Sequence, residues 1–250
     1  MKRMIKIGVI GVGRMGKQII SCCQRQGHVK VFDIDNVEAT RVAMQYRVIC
    51  CQSIEDMLDC TTIFLAVPGE TVMAIIGDYV QQAPQELIWI SVSTLLTARQ
   101  LRETYPSYGN VISVKIIGVA DAMQLGIRPV LVLDPAYDLI LHGYVLSLLD
   151  QVGEVVHDFE DKYVAVNLMS AEAAMTAVIW LAKQLKASGI ANPAVITSIR
   201  NVFLGTASQF PYQPSDYFHE LIFARHPDLQ VTLELLNLQS APVESVLINS

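Results

Sequence analysis

Hydrophobic positions follow two rhythms along this chain. Through roughly the first 135 residues, short β-branched runs alternate with stretches of helical spacing. Residues 4–10 form a nearly continuous Ile/Val run, the pattern of a parallel strand covered on both faces. Residues 15–26 read as a helix stopped by Gly27, and residues 29–33 as a second strand. Asn36 is placed to cap a helix over 37–46. A short strand over 48–51 follows, then Ser53 and Asp56 in the spacing of a capping box. Further strands are predicted over 62–67, 86–92, 111–117 and 129–133. Helices are predicted over 71–79 and, from a capping box of Thr97 and Gln100, to about Tyr105.

The rhythm changes after this point. A helix over 139–151 and a short strand over 154–156 are the last mixed pair, and from about Asp161 only helical spacing survives: 163–188, 193–208, 215–225 and 229–238. Repeated strand–helix–strand units predict an α/β fold, a doubly wound Rossmann sheet, followed by a smaller all-α domain. The expected boundary lies in the charged stretch 159–162, giving domains of residues 1–160 and 161–250.

The chemistry begins at the first strand–helix junction. Gly11-Val12-Gly13-Arg14-Met15-Gly16 stands between a strand and a helix, the context that a dinucleotide fingerprint requires. The first glycine permits the tight turn, the second lets a pyrophosphate approach the backbone, and the third lets helix and strand pack closely. The phosphates are expected on the helix N-terminus. Asp33 ends the second strand, 22 residues after Gly11, where a carboxylate takes both ribose hydroxyls of NAD and repels the 2′-phosphate of NADP. NAD is therefore expected in preference to NADP. Asp35 competes for that role but stands where Asp often caps or turns, and Arg14 and Arg41, cations able to neutralise a 2′-phosphate, are read as solvated helix charges. Val67-Pro68-Gly69 and Ser91, Ser93 and Thr94 end two later strands, the edge at which such sheets bind ligands.

Composition narrows the class. With 52% apolar and 17% charged residues, the chain is too apolar to be disordered. Its formal net charge of −6 argues against a nucleic-acid partner. The five cysteines show no metal spacing and fit reduced thiols in a cytoplasmic protein. No histidine motif or metal cluster is apparent, so no metal is expected. Residues 164–182 are the most apolar segment, but Asn167, Ser170, Glu172 and Thr176 interrupt it, favouring a helix covered by a second copy over a membrane span.

With these residues in view, the sequence resembles the pyrroline-5-carboxylate reductase family, within the wider coenzyme F420-dependent NADP oxidoreductase-like group. The resemblance rests on the fingerprint with Met15, Phe64-Leu65-Ala66-Val67-Pro68, Ile90-Ser91-Val92-Ser93, Val152-Gly153-Glu154-Val155, the long helix from Ala165-Val166, Gly189-Ile190 and Leu204-Gly205. It implies a nicotinamide cofactor held by Gly11, Val12, Gly13, Arg14, Met15, Gly16, Asp33, Val67, Pro68 and Ser91, and a homodimer formed through the helical domain. The family's substrate motifs are replaced here: Ser170-Ala171-Glu172-Ala173-Ala174 opens the long helix, Val202 stands for a hydroxyl-bearing residue, Ile116-Ile117-Gly118 stands for Met-Pro-Asn, and the C-terminal Ser-Pro-Gly-Gly is missing.

The substrate is expected to be a small imine, amino acid or keto acid, bound where the sheet's carboxyl edge meets the helical domain. Two charges set among apolar neighbours are the catalytic candidates. Lys115 lies within a strand and suits a substrate carboxylate or a lowered pKa. Glu172 lies in the most apolar helix and suits an amine or a proton. Asp121 and Gln124 follow Lys115 in a turn. The competing reading, favoured by the replaced motifs, is a non-catalytic NAD-binding regulator. A third, a β-hydroxyacid dehydrogenase with Lys183 catalytic, lacks the glycine-rich segment that should precede that lysine.

Overall fold

The computed structural model describes residues 5–25, 27–106, 110–137, 143–208 and 222–236. Contacts divide the chain into two compact units, Met1–Glu172 and Ala173–Ser250.

The first unit carries one eight-stranded sheet: β1 (Lys6–Ile10), β2 (His28–Phe32), β3 (Ile49–Cys50), β4 (Thr62–Leu65), β5 (Ile88–Ser91), β6 (Val111–Ile117), β7 (Val130–Leu133) and β8 (Glu154–His157). Their spatial order is β3-β2-β1-β4-β5-β6-β7-β8. The order reverses between β1 and β4, which opens a crevice at their carboxyl ends. All pairings are parallel except β6–β7, with Ile117 opposite Val130. The connection there holds only α5 (Ala120–Gln124), five residues long, too short a crossover to return the chain for a parallel partner. The expected doubly wound sheet is present, and its sequence pattern says nothing of the direction of this strand.

Alternation along the strands feeds two cores. Phe64 packs with Ile7, Val9, Ile19 and Val31 on one face, while Ile63 and Leu65 pack with Met57, Ile76 and Trp89 on the other. The helices that cover the faces include α1 (Arg14–Cys23), α2 (Asn36–Tyr46), α3 (Gly69–Tyr79), α4 (Ala98–Thr104) and α6 (Gly143–Val152). The predicted helix over 139–151 lies partly outside the described residues.

Local signals resolve as follows. Thr97 and Gln100 form the expected capping box on α4. Asp35, not Asn36, caps α2, its carboxylate accepting from the Val37 and Glu38 amides, a contact worth about 1 kcal/mol. At Ser53 only half of a box forms: its amide donates to Asp56, and a short 3₁₀ turn, Glu55–Met57, follows. α1 ends at Cys23, before Gly27; a side chain at Gly27 would lie 2.4 Å from the Ile5 carbonyl oxygen.

The second unit is helical wherever it is described. Helix α7 (Val166–Ala187) begins in the first unit and runs into the second without a buried residue. It is followed by α8 (Asn192–Thr197), a π-helical stretch Ser198–Phe203, α9 (Leu204–Ser208) and a helix Pro227–Leu236. Most of the predicted helix over 215–225 lies outside the described residues.

Candidate functional site

The glycine loop joins β1 to α1 at the crevice. Gly11 has φ of 92°, a conformation in which a side chain is strained, and its amide donates to the Phe32 carbonyl at 2.9 Å. A Cβ on Gly16 would stand 1.9 Å from the Gly11 carbonyl oxygen, so the turn and the helix can meet only through glycine. Gly13 differs. It is exposed, it has an ordinary φ of −63°, and a Cβ there would meet nothing within 4 Å. Two glycines are thus demanded by the protein's own packing and one is left facing open space. That space adjoins the N-terminus of α1, whose cap position has no side chain to satisfy the first amides. These features fit a cofactor pyrophosphate.

Asp33 is held against this loop. One of its carboxylate oxygens accepts from the Val12 amide at 2.8 Å, and the other from the Asp35 amide at 3.0 Å. The carboxylate is therefore fixed in place beside the loop, only partly buried. Val12 itself is buried and contributes its amide to Asp33. Arg14 is exposed and pairs loosely with Asp121 at 3.5 Å. Arg41 and Lys17 both bind Glu38, at 2.7 and 2.5 Å. These two cations, Arg41 foremost, hold the Glu38 carboxyl down at about 2.

A cleft of about 370 Å³ opens at the carboxyl edge of the sheet, lined by Met15, Val67, Pro68, Ser93, Thr94 and Asn167 among others. Asn167, near the start of α7, was not singled out as a site residue. Its side chain caps the end of β6, accepting from the Gly118 amide at 3.1 Å and donating to the Ile116 carbonyl at 2.6 Å. The only signal in sequence was a polar residue opening an apolar helix.

Three of the expected site residues lie away from this cleft. Ser91 does not line the cleft; it is fully buried and its hydroxyl accepts from the Ser93 amide at 3.3 Å, which leaves Ser93 and Thr94 at the surface of the site. Lys115 does not face the cleft either. It is 2% exposed, and its ammonium donates to the carbonyls of Ser93 and Leu96. Its carboxylate neighbour is Glu160, at 3.8 Å, a residue that sequence reasoning missed because it lies in the charged stretch read as an exposed joint. Burial pushes the Lys115 ammonium below and the Glu160 carboxyl above their ordinary ranges, and each charge opposes the other's shift. Tyr137 is buried nearby, its hydroxyl raised by burial to about 12. Glu172 is exposed on α7 and is not among the residues that line this cleft.

Comparison with known proteins bears on the fold. Residues 6–94 match the family described as NADP oxidoreductase, coenzyme F420-dependent. Comparison with curated proteins gives no match. Among solved structures, the chain is similar to a pyrroline-5-carboxylate reductase from Coxiella burnetii, with TM-score 0.66 and 13% identity over 93% of this chain and 94% of that one. A 1-pyrroline-5-carboxylate reductase from Streptococcus pyogenes gives TM-score 0.64 and 19% identity over 94% and 92%. A reductive aminase from Aspergillus terreus, in complex with NADPH and ethyl-5-oxohexanoate, gives 0.60 and 12% over 91% and 78%. The chain has the fold of the pyrroline-5-carboxylate reductases, and its residues 6–94 are similar to the coenzyme F420-dependent NADP oxidoreductase family.

Proposed function

We propose that this protein is a nicotinamide-dependent oxidoreductase that transfers a hydride between the cofactor and a small imine, amino acid or keto acid, similar to the pyrroline-5-carboxylate reductases and acting as a cytoplasmic homodimer. The observation that carries the reading is the contrast within the fingerprint: Gly11 and Gly16 are enforced by packing, whereas Gly13 keeps an open cradle at the start of α1. A reduced nicotinamide supplies a hydride to an electrophilic carbon when bound. The chain's own residues would hold it. The α1 amides take the pyrophosphate, with Arg14 beside them. Asp33, already oriented by the Val12 amide, takes the ribose hydroxyls. Met15, Val67 and Pro68 give the ring an apolar wall that limits water, and Ser93 and Thr94 offer hydroxyls to orient a substrate. Glu172 remains the candidate for a substrate amine or proton.

NAD is favoured over NADP. Asp33 opposes a 2′-phosphate, and the cations Lys17 and Arg41 are already engaged by Glu38. A screen of NADH oxidation against cyclic imines and 2-oxo acids tests the activity. Turnover of one class, lowered by Glu172→Gln, is the expected result. Tight NADH binding with no turnover favours the second reading, a non-catalytic NAD-binding regulator. One observation supports that alternative: neither charged candidate lines the cleft, and the Asn167 side chain is spent on capping β6.

A further inference from the structure

Cofactor binding by the fingerprint leaves one charged pair unused. Lys115 and Glu160 are each 2% exposed, and a charge so deeply buried is costly unless other groups compensate it. What they hold explains their presence. The Lys115 ammonium donates to Ser93 and Leu96, the two ends of a four-residue segment between β5 and α4. Glu160 accepts from the Ala98 amide at 2.9 Å, at the first turn of α4. Ser113 adds its hydroxyl to the Leu96 carbonyl at 3.3 Å. The segment belongs to neither a strand nor a helix, so these contacts replace the regular hydrogen bonds it lacks. Its opposite side, through Ser93, Thr94 and Leu95, lines the cleft.

An ammonium suits this task because it presents several donors from one compact centre. An apolar side chain of the same length would leave the Ser93 carbonyl without that donor, and the Glu160 carboxylate without its cation. The pair also joins two parts of the site. Glu160 stands in the turn Glu160–Lys162, just before α7, and α7 carries Asn167 to the cleft. The charged groups surrounding the pair are Asp134, Asp161 and Arg102, with the Tyr137 phenol.

Resting on the reductase reading above, we propose that Lys115 and Glu160 are positioning residues: their buried ion pair fixes the segment Ser93–Leu96 as the wall of the nicotinamide end of the site.

The test uses the full chain and two probes, NADH and ADP-ribose, which share everything but the nicotinamide end. In the wild type NADH is expected to bind about 10-fold more tightly than ADP-ribose, and its emission to shift on binding. In Lys115→Met/Glu160→Gln, ADP-ribose affinity is expected within about twofold of wild type, while the advantage of NADH falls about fivefold or more and the emission returns toward that of free NADH. An unchanged NADH advantage in the folded variant overturns the inference alone. Failure of both probes to bind the wild type overturns the cofactor reading and the inference with it. Should the double variant not fold, hydrogen exchange in the wild type decides: the Ala98 amide is expected to exchange at least about 100-fold more slowly than in a free peptide, and free-peptide exchange overturns the proposal.

Discussion

The sheet and helix α7 are both strongly apolar, yet they treat that surface in opposite ways. Strands β4 and β5 are buried along their whole length. Helix α7 has no buried residue; Leu168 is 70% exposed and Trp180 61%. Over residues 160–187 the most apolar 18-residue window has a mean hydropathy of 1.6, enough by length and composition to cross a membrane. Hydropathy therefore says that a surface needs covering and not what covers it. The sheet supplies its own cover from both faces. Among the described residues nothing covers the apolar surface of α7, and a large exposed apolar area is a common mark of an interface. Two polar ties at the start of this stretch favour a protein partner over a bilayer. Glu160 is committed to Lys115 and Ala98, and Asn167 to β6.

The largest expected effect breaks this comparison directly. Light scattering at micromolar concentration should give twice the chain mass of 27.6 kDa. Ile179→Lys/Trp180→Lys should weaken association by about 1,000-fold or more, because two large apolar anchors would each be replaced by a charge. A monomeric wild type that sediments with lipid vesicles would move α7 to the membrane.

Within the sheet region the same contrast recurs on a smaller scale, between glycines that packing demands and one that it does not. Gly16→Val should destabilise the fold by about 1–3 kcal/mol or more and abolish NADH binding, since its side chain collides with the Gly11 carbonyl. Gly13→Ala should leave the melting temperature almost unchanged and weaken NADH binding by about 10- to 100-fold. Thermal melts with and without NADH separate the two. A Gly13→Ala variant that binds NADH normally removes the phosphate cradle.

Much of the fold was legible because strand burial and capping are local. The capping box of Thr97 and Gln100 and the unbroken Ile/Val run of β1 are each written within a few residues. The antiparallel turn of β7 was not, because orientation depends on the length of a connection rather than on the strand's own residues. The site divides in the same way. The fingerprint and Asp33 are a local pattern with a fixed spacing. Lys115 was found as an anomaly but placed on the wrong side, because its partner Glu160 is 45 residues away and looks like an ordinary surface charge in sequence. Asp35 and Asn36 show the limit of capping rules: both residue types are good caps, and only the geometry shows which carboxylate reaches the Val37 and Glu38 amides.

A smaller effect concerns which cofactor the sheet region prefers. NADH should raise the melting temperature more than NADPH at equal concentration, because a ligand stabilises in proportion to its affinity for the folded state. Asp33→Ser should reduce NADH affinity about 10-fold, by removing a charged hydrogen-bond partner of the ribose, and narrow or reverse the difference. A wild type that prefers NADPH overturns the role given to Asp33.

The smallest effect lies in Glu38, on α2. Its carboxyl is held down at about 2 by Arg41 and Lys17, so the folded state favours the ionised form. The stabilisation is complete above the unfolded value of 4.5 and is lost as pH falls from there toward about 2. The group is only partly buried, and salt screens it, so the stabilisation is small. Glu38→Gln should melt about a degree or two below wild type near neutral pH, with the gap closing in acid and at high salt. Its second consequence bears on cofactor choice. Freed of Glu38, Lys17 and Arg41 become available to a 2′-phosphate, so NADPH affinity should rise by about two- to fivefold while NADH affinity holds. If melting curves show the acid-dependent gap but NADPH binding does not move, Glu38 is only a surface ion-pair partner, and the discrimination rests on Asp33 alone.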